Sequence, residues 1–456
     1  MPQTPTALLV DLYELSMVDV YRRTGMARRP ATFSLFVRDL PPERGHLVAA
    51  GLDDALSWLE ALRFGEEELA AVAALDAFDT EFLDWLGELR FTGDVRAVSE
   101  GTIVFGDEPI LEVDAPIAEG QLAETYLLNQ ITLQTVLATK AARSVHAADG
   151  RPVIDFALRR TPGVDAGMKL ARVGAIVGVS ATSNVAGAAH YGAPVSGTMA
   201  HAFVQAHGDE LDAFRAFADT FGSDTVLLVD TYDTAQGVEH AIRVALELTD
   251  RGERLRGIRL DSGDLEDLSR QARKRLDDEG LDDVAIFASG GLDEYRINDL
   301  VASGAPIDGF GVGTAIGTSS DAPSIDTVYK LVEHDGRPVR KTSTGKRTWP
   351  GAKQVWRAPD WSGDVLGLAS EPGPGPDHRP LLEPVMRNGA RTAAGRRSLT
   401  ENAEHHARQR AAMPAAVLDL RRPEPVPVTA SPGLRDLVEG LDRVGPHADE
   451  KRLEGP

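Results

Sequence analysis

The pattern that most restricts this chain begins at Arg151. From there to about residue 321, a short apolar run, a few polar or glycine residues and a helical stretch recur in turn. The runs are Val153–Ala157, Ala175–Val179, Ala193–Gly197, Thr225–Val229, Gly257–Leu260, Val284–Ala288 and Gly309–Val312. Helical segments over Ala235–Thr249, Leu265–Glu279 and Leu292–Ala302 fit between the later ones. Alternating strands and helices bury their apolar faces as a parallel sheet covered by helices. Some seven units of about 20–30 residues predict an irregular, TIM-like (β/α) barrel. An open dinucleotide-binding sheet is disfavoured, because no GxGxxG follows the first strand.

The flanks have a different texture. Leu12–Arg23, Asp53–Arg63 and Glu66–Leu89 are helical, with Trp58 and Trp85 as core candidates. Ala31–Val37, Val95–Ser99, Thr102–Phe105 and Ile110–Val113 read as strands, and Glu119–Ala148 as a long amphipathic helix or pair. After residue 322, hairpin-like strands return over Val328–Val332, Val339–Thr342 and Gln354–Arg357, with a turn at Asp335-Gly336. The expected division is an α/β half over 1–133, a barrel over 134–321, a β-rich return segment over 322–400, and a polar C-terminal helix and tail over 401–456. The return segment can rejoin the first half, which makes the barrel an insertion.

Composition removes several kinds of chemistry. The chain has no cysteine, so disulfides, thiolate catalysis, iron–sulfur clusters and cysteine-based zinc sites are excluded. The first residues lack a basic start followed by a long apolar run, and no stretch approaches the roughly 18 apolar residues of a membrane span. A cytoplasmic protein is expected. The net charge of −22 disfavours nucleic acid and anionic lipid as partners. On so acidic a chain, a local arginine cluster points to a small anionic ligand.

In barrels of this kind the active site lies at the C-terminal strand ends, where this sequence collects its unusual residues. The first run ends in Phe156-Ala157-Leu158-Arg159-Arg160 and the second in Ala181-Thr182-Ser183-Asn184; the third reads Ser196-Gly197-Thr198-Met199-Ala200-His201. The fourth gives Asp230-Thr231-Tyr232-Asp233 and the fifth Arg259-Leu260-Asp261-Ser262-Gly263-Asp264. Alternation places Arg259 and Asp261 on the inward face, where a cation is costly unless paired or bound to an anion. An internal Arg259–Asp261 ion pair is the plain alternative. Ser289-Gly290-Gly291 and Gly311-x-Gly313-Thr314 let backbone N–H groups approach a phosphate, with a helix N-terminus to follow. Asp230, Asp233, Asp261 and Asp264 offer hard oxygen ligands for Mg²⁺ shared with a diphosphate, although Asp233 and Asp264 are equally placed to cap helices. His201 ends a Gly-Thr-Met-Ala run and stands apart from an apolar face. From Arg151 to residue 321 the repeating segment has two lysines, Lys169 and Lys274, and both fall on helical stretches, which argues against a Schiff-base enzyme.

These strand ends resemble the nicotinate phosphoribosyltransferase family. The matching pieces are Leu8 to Met17 (LLVDLYELSM), Phe156 to Arg160, Thr182 to Ala186, Gly197 to His201, Val229 to Asp233, Arg259 to Asp264, Gly311 to Thr314, Pro323 to Ile325 and Val328 to Val332. The resemblance implies a barrel inserted in an α/β sandwich-type domain formed by both chain ends. It implies a homodimer with shared active sites, in which the partner's Tyr13 stacks on the pyridine ring opposite Phe156. It further implies that Arg159 and Arg259 bind phosphate and the substrate carboxylate, that Thr182, Ser183, Gly290, Gly291, Gly313 and Thr314 line the substrates, and that ATP phosphorylates His201. Asp230 and Asp261 would hold ribose hydroxyls or metal, and Asp261 with Asp264 would take the Mg²⁺. The implied reaction joins nicotinate to phosphoribosyl pyrophosphate with ATP as co-substrate. Ala157 departs from the family's frequent glycine. Ser183 stands where nicotinamide phosphoribosyltransferases have aspartate, which favours nicotinate. Remaining alternatives are a nicotinamide enzyme, a quinolinate enzyme, and a non-catalytic phosphate-binding barrel.

Overall fold

The computed structural model describes residues 6–343 and 348–444. The chain divides into two compact units. Residues up to Val136 and those from Ser324 onward form one, and Leu137–Pro323 form the other.

In the first unit, the strand Pro30–Val37 lies between two antiparallel partners, Pro109–Pro116 from the same half of the chain and Thr327–His334 from the other. They belong to a seven-stranded sheet. Seven of the eight residues of Pro30–Val37 are buried, so helices or loops cover both faces and the sequence there is nearly continuous in apolar residues. Phe33 stacks on Tyr329 with ring centroids 4.9 Å apart, and the Tyr329 hydroxyl donates to Gly120 O at 2.8 Å. A stacked pair of this kind contributes about 0.5–1.5 kcal/mol beyond its buried area. Trp58, 2% exposed, stacks on Tyr126; Trp85 is only half-buried. Glu66–Leu89 is two helices, Glu66–Ala73 and Thr80–Glu88, the second capped by Asp79. Val339–Thr342 forms no strand.

Residues 401–456 were expected as one polar helix and a tail, and the fold corrects this. Ser398 and Glu401 form a reciprocal cap on the helix Leu399–Ala412. Val428–Ala430 then adds a parallel strand beside Asp364–Leu368, and the helix Pro432–Val444 follows. Polar composition concealed these contacts because they are made by buried polar side chains. Arg357, 1% exposed, pairs with Asp364 and donates to Gln409 Oε1, while His406 Nδ1 lies 3.0 Å from Gly101 O. The expected tail from 445 on lies outside the described residues.

The second unit carries a six-stranded parallel sheet in the order Ala181–Thr182, Val153–Asp155, Gly309–Val312, Ala285–Ala288, Gly257–Leu260, Val226–Leu228. It is a partial barrel, and among the described residues no pairing joins its two edges. Two expected strands are absent. Ala175–Val179 falls at the end of the helix Val164–Val177, which is buried along most of its length and so lacks the polar face that marks a helix in sequence. Gly178 ends that helix at φ +92, a left-handed conformation suited to glycine. Ala193–Gly197 makes a single bridge, Thr182 to Val195, where Pro194 has no N–H to extend the ladder.

Candidate active site

The C-terminal ends of the central strands open into a cleft of about 350 Å³ within the second unit. Phe156, Arg159, Arg160, Asp261, Gly290, Gly291, Gly313 and Thr314 are among the residues that line it. Those eight come from four separate stretches of chain, and the parallel order of the sheet brings their strands side by side. The third stretch is the turn after Ala285–Ala288, which Gly290 shapes. At φ +84, a Cβ on Gly290 would stand 1.7 Å from Asp261 O. Gly311 does the same for the aromatic wall, since a Cβ there would lie 2.4 Å from the Phe156 ring.

Arg259 points inward from the strand Gly257–Leu260, as alternation predicts. It does not pair with Asp261. Its Nη1 donates to Thr198 Oγ1 at 2.6 Å and its Nη2 to Met199 O at 3.1 Å. The guanidinium carbon lies 5.7 Å from the Phe156 ring centroid, and the buried Nε–H has no partner. Burial pushes its pKa below the ordinary guanidinium value, against the pull of Asp261 and Asp230. Arg159 and Arg160 are exposed, and among the described residues neither pairs with an acid. The cleft therefore presents cationic charge with unused donors.

The carboxylates divide by task. Asp230 Oδ2 accepts from Asp261 N–H and from Ser262 Oγ, and its buried Oδ1 has no partner. Asp261 Oδ1 accepts from Ser289 Oγ at 2.5 Å. Its Oδ2 lies 3.8 Å from His201 Nε2, while His201 Nδ1 is 3.1 Å from Thr231 Oγ1. His201 opens the helix His201–His207. Asp264, expected at a metal with Asp261, instead caps the helix Leu265–Asp278 through the N–H groups of Glu266 and Asp267. Asp233 caps Thr234–Asp250. Among the described residues, no three acidic or histidine side chains form a ligand cluster.

The remaining expected site residues are placed as follows. Thr182 is buried and gives its hydroxyl to Asp155 Oδ2 at 2.7 Å, so it shapes the strand end rather than lining the cleft. The half-buried Ser183 donates its N–H to Asp155 O. The helix Thr314–Thr318, which follows Gly313, has only five residues, and Asp293 already caps the helix Glu294–Ala302. Positive potential in the cleft thus comes from arginine rather than helix ends. Tyr13 belongs to the first unit, half exposed on the helix Leu12–Arg23, and burial together with Glu124 and Glu14 raises its phenol pKa. Asp155, Thr198, Thr231 and Ser289 escaped the sequence reading as site residues. Of these Ser289, Thr198 and Thr231 carried a signal, through their places beside Gly290, Gly197 and Asp230, and Asp155 carried none.

Comparison with known proteins is consistent along the chain. Residues 8–132 match the nicotinate phosphoribosyltransferase N-terminal domain model, and residues 152–353 match the nicotinate phosphoribosyltransferase family model. A nicotinate phosphoribosyltransferase of Mycobacterium tuberculosis, pncB2, is 51% identical over 388 residues, covering 84% of this chain and 82% of its own. One of Bacillus subtilis is 44% identical over 377 residues, covering 80% and 76%. The crystal structure of human nicotinic acid phosphoribosyltransferase superposes with a TM-score of 0.83 at 28% identity, over 95% of this chain and all of that one. With both units matched in order, this chain belongs to the nicotinate phosphoribosyltransferase family.

Proposed function

We propose that the chain joins nicotinate to 5-phosphoribosyl 1-pyrophosphate, giving nicotinate mononucleotide and pyrophosphate in NAD salvage, with the transfer coupled to ATP hydrolysis through a phosphorylated His201. The observation that carries this reading is Arg259. A half-buried guanidinium, oriented by Thr198 and Met199 and facing an aromatic ring, has an unspent N–H for a planar carboxylate such as nicotinate's. The neighbouring cleft, with Arg159, Arg160 and glycine-lined walls, suits the phosphates.

The pyridine nitrogen brings its own lone pair, so the reaction needs no general base. It attacks the ribose C1 carbon while the C1–O bond to pyrophosphate breaks, and the electron pair leaves with pyrophosphate. The residues' work is alignment and charge compensation. Phe156 supplies a flat wall for the ring and Asp261 faces the ribose. Mg²⁺ brought in with the diphosphate would find the free Oδ1 of Asp230 and Oδ2 of Asp261, and would neutralise charge on the leaving group. His201, anchored through Nδ1, turns Nε2 into the site to accept a phosphoryl group from ATP. Leu12, Tyr13, Met17 and Val20 are exposed on one helix face, which supports a homodimer in which Tyr13 serves the partner's site. No helix among the described residues is long and apolar enough to cross a membrane. Charged, membrane-impermeant substrates support a cytoplasmic activity.

The test is product formation from nicotinate and phosphoribosyl pyrophosphate with Mg²⁺, with and without ATP, and with nicotinamide in parallel. Selective, ATP-stimulated formation of nicotinate mononucleotide is expected. Preference for nicotinamide overturns the substrate assignment, and no turnover of either overturns the enzyme.

A further inference from the structure

Behind the cleft lies a buried group of charges that the reaction above does not use. Lys140 and Arg143 project from the helix Glu124–Ala147 and are 1% and 5% exposed. Lys140 Nζ contacts Glu294 Oε2 at 2.5 Å and Asp321 Oδ1 at 2.7 Å. Arg143 Nε donates to Glu294 Oε1 at 2.8 Å and its Nη2 to the Tyr295 hydroxyl at 3.0 Å.

The anions stand where they matter for the cleft. Glu294 is fully buried and follows directly on the lining residues Ser289 to Asp293. Asp321 follows the lining residue Ser320, itself next to Ser319, which is fully buried and held at φ +46 with its hydroxyl on Ala322 O. One ammonium group thus ties together the residues that follow directly on two separate lining segments of the cleft. Burying such a set gains little stability over apolar residues of the same volume. Its distinctive product is a fixed distance between the two segments.

We propose that Lys140 and Arg143 are positioning residues for phosphoribosyl pyrophosphate, acting through Glu294 and Asp321 to set the width of the phosphate end of the cleft. The proposal rests on the reading of this cleft as the phosphoribosyl pyrophosphate site. Neither cation touches substrate, so their effect falls on the affinity of one substrate and spares the other.

The experiment compares wild type with Lys140→Met, Lys140→Arg and the milder Asp321→Asn. It measures ribose 5-phosphate binding by calorimetry and both KM values by steady-state kinetics. Loosening a phosphate cradle by a fraction of an ångström is expected to raise the ribose 5-phosphate Kd and the phosphoribosyl pyrophosphate KM about tenfold or more. Nicotinate KM should stay within about twofold. Lys140→Arg should restore most of the binding, because it keeps the charge. Equal changes in both KM values, or an unchanged Kd in Lys140→Met, overturn the proposal. If Lys140→Met does not fold, an unchanged Kd in Asp321→Asn overturns it alone. Failure of the wild type to bind ribose 5-phosphate would instead remove the reading of the cleft, and this inference with it.

Discussion

Thr198 holds Arg259. The 2.6 Å bond from Arg259 Nη1 to Thr198 Oγ1 fixes the guanidinium next to the Phe156 ring, although Arg259 lies on the strand Gly257–Leu260 and Thr198 on the stretch before the helix His201–His207. Hydrogen bonds to charged groups contribute about 1.5–3 kcal/mol. Thr198→Val keeps the shape and removes the acceptor, and it should raise the KM for nicotinate about tenfold or more. Thermal stability should fall only modestly, by a few degrees in Tm, because Arg259 keeps Met199 O. Steady-state kinetics together with a melting curve checks both.

Gly311→Ala addresses the aromatic wall. The added Cβ would lie 2.4 Å from the Phe156 ring, which has to swing out of its place. Overpacking of this sort costs about 1–3 kcal/mol. A lowered Tm and weakened nicotinate binding are expected together, and a crystal structure of the variant would show the ring displaced. Unchanged kinetics would mean that Phe156 does not contact the pyridine.

His201→Ala should abolish stimulation by ATP and leave a slower, ATP-independent transfer. The comparison is initial rate with and without ATP for the variant and wild type. Full stimulation of the variant would remove His201 from the coupling step.

Ser183→Asp places a carboxylate beside the strand end where the substrate carboxylate is expected. Like-charge repulsion should lower the preference for nicotinate over nicotinamide by about tenfold or more. Competition between the two substrates in one assay reads this ratio directly.

The first unit carries its own pH sensitivity. Burial holds His405 and His406 at pKa values of about 4, with nearby arginines adding to the effect. The folded state therefore keeps both rings neutral, and the unfolded state binds protons first. Their contribution is complete above pH 6.5 and is lost as pH falls from 6.5 towards 4. Each proton taken up on unfolding gives a slope of about 1.4 kcal/mol per pH unit. Urea unfolding between pH 7 and 4.5 should show the midpoint falling, and His406→Asn should flatten the decline.

Strand ends were legible in the sequence because apolar runs stop abruptly at charged or glycine residues. Phe156, Arg159, Asp261, Gly290, Gly291, Gly313 and Thr314 indeed line one cleft. Thr182 looked like a ligand for the same reason, since nothing in a sequence distinguishes a hydroxyl facing substrate from one facing Asp155. The helix Val164–Val177 hid its identity through burial on nearly every side. Lys140, Arg143, Glu294 and Asp321 form no motif at all. Their partnership spans the whole second unit and exists only once the parallel sheet has assembled.

The pairing of Pro30–Val37 with Thr327–His334 also has a consequence for birth on the ribosome. Nearly three hundred residues separate the two strands. At about 5–20 residues per second, the earlier strand waits roughly 15–60 s for its partner to be made. During that interval an apolar strand has one open edge, while the intervening unit emerges and can fold alone. A nascent chain halted before Thr327 should therefore be the species that chaperones hold longest.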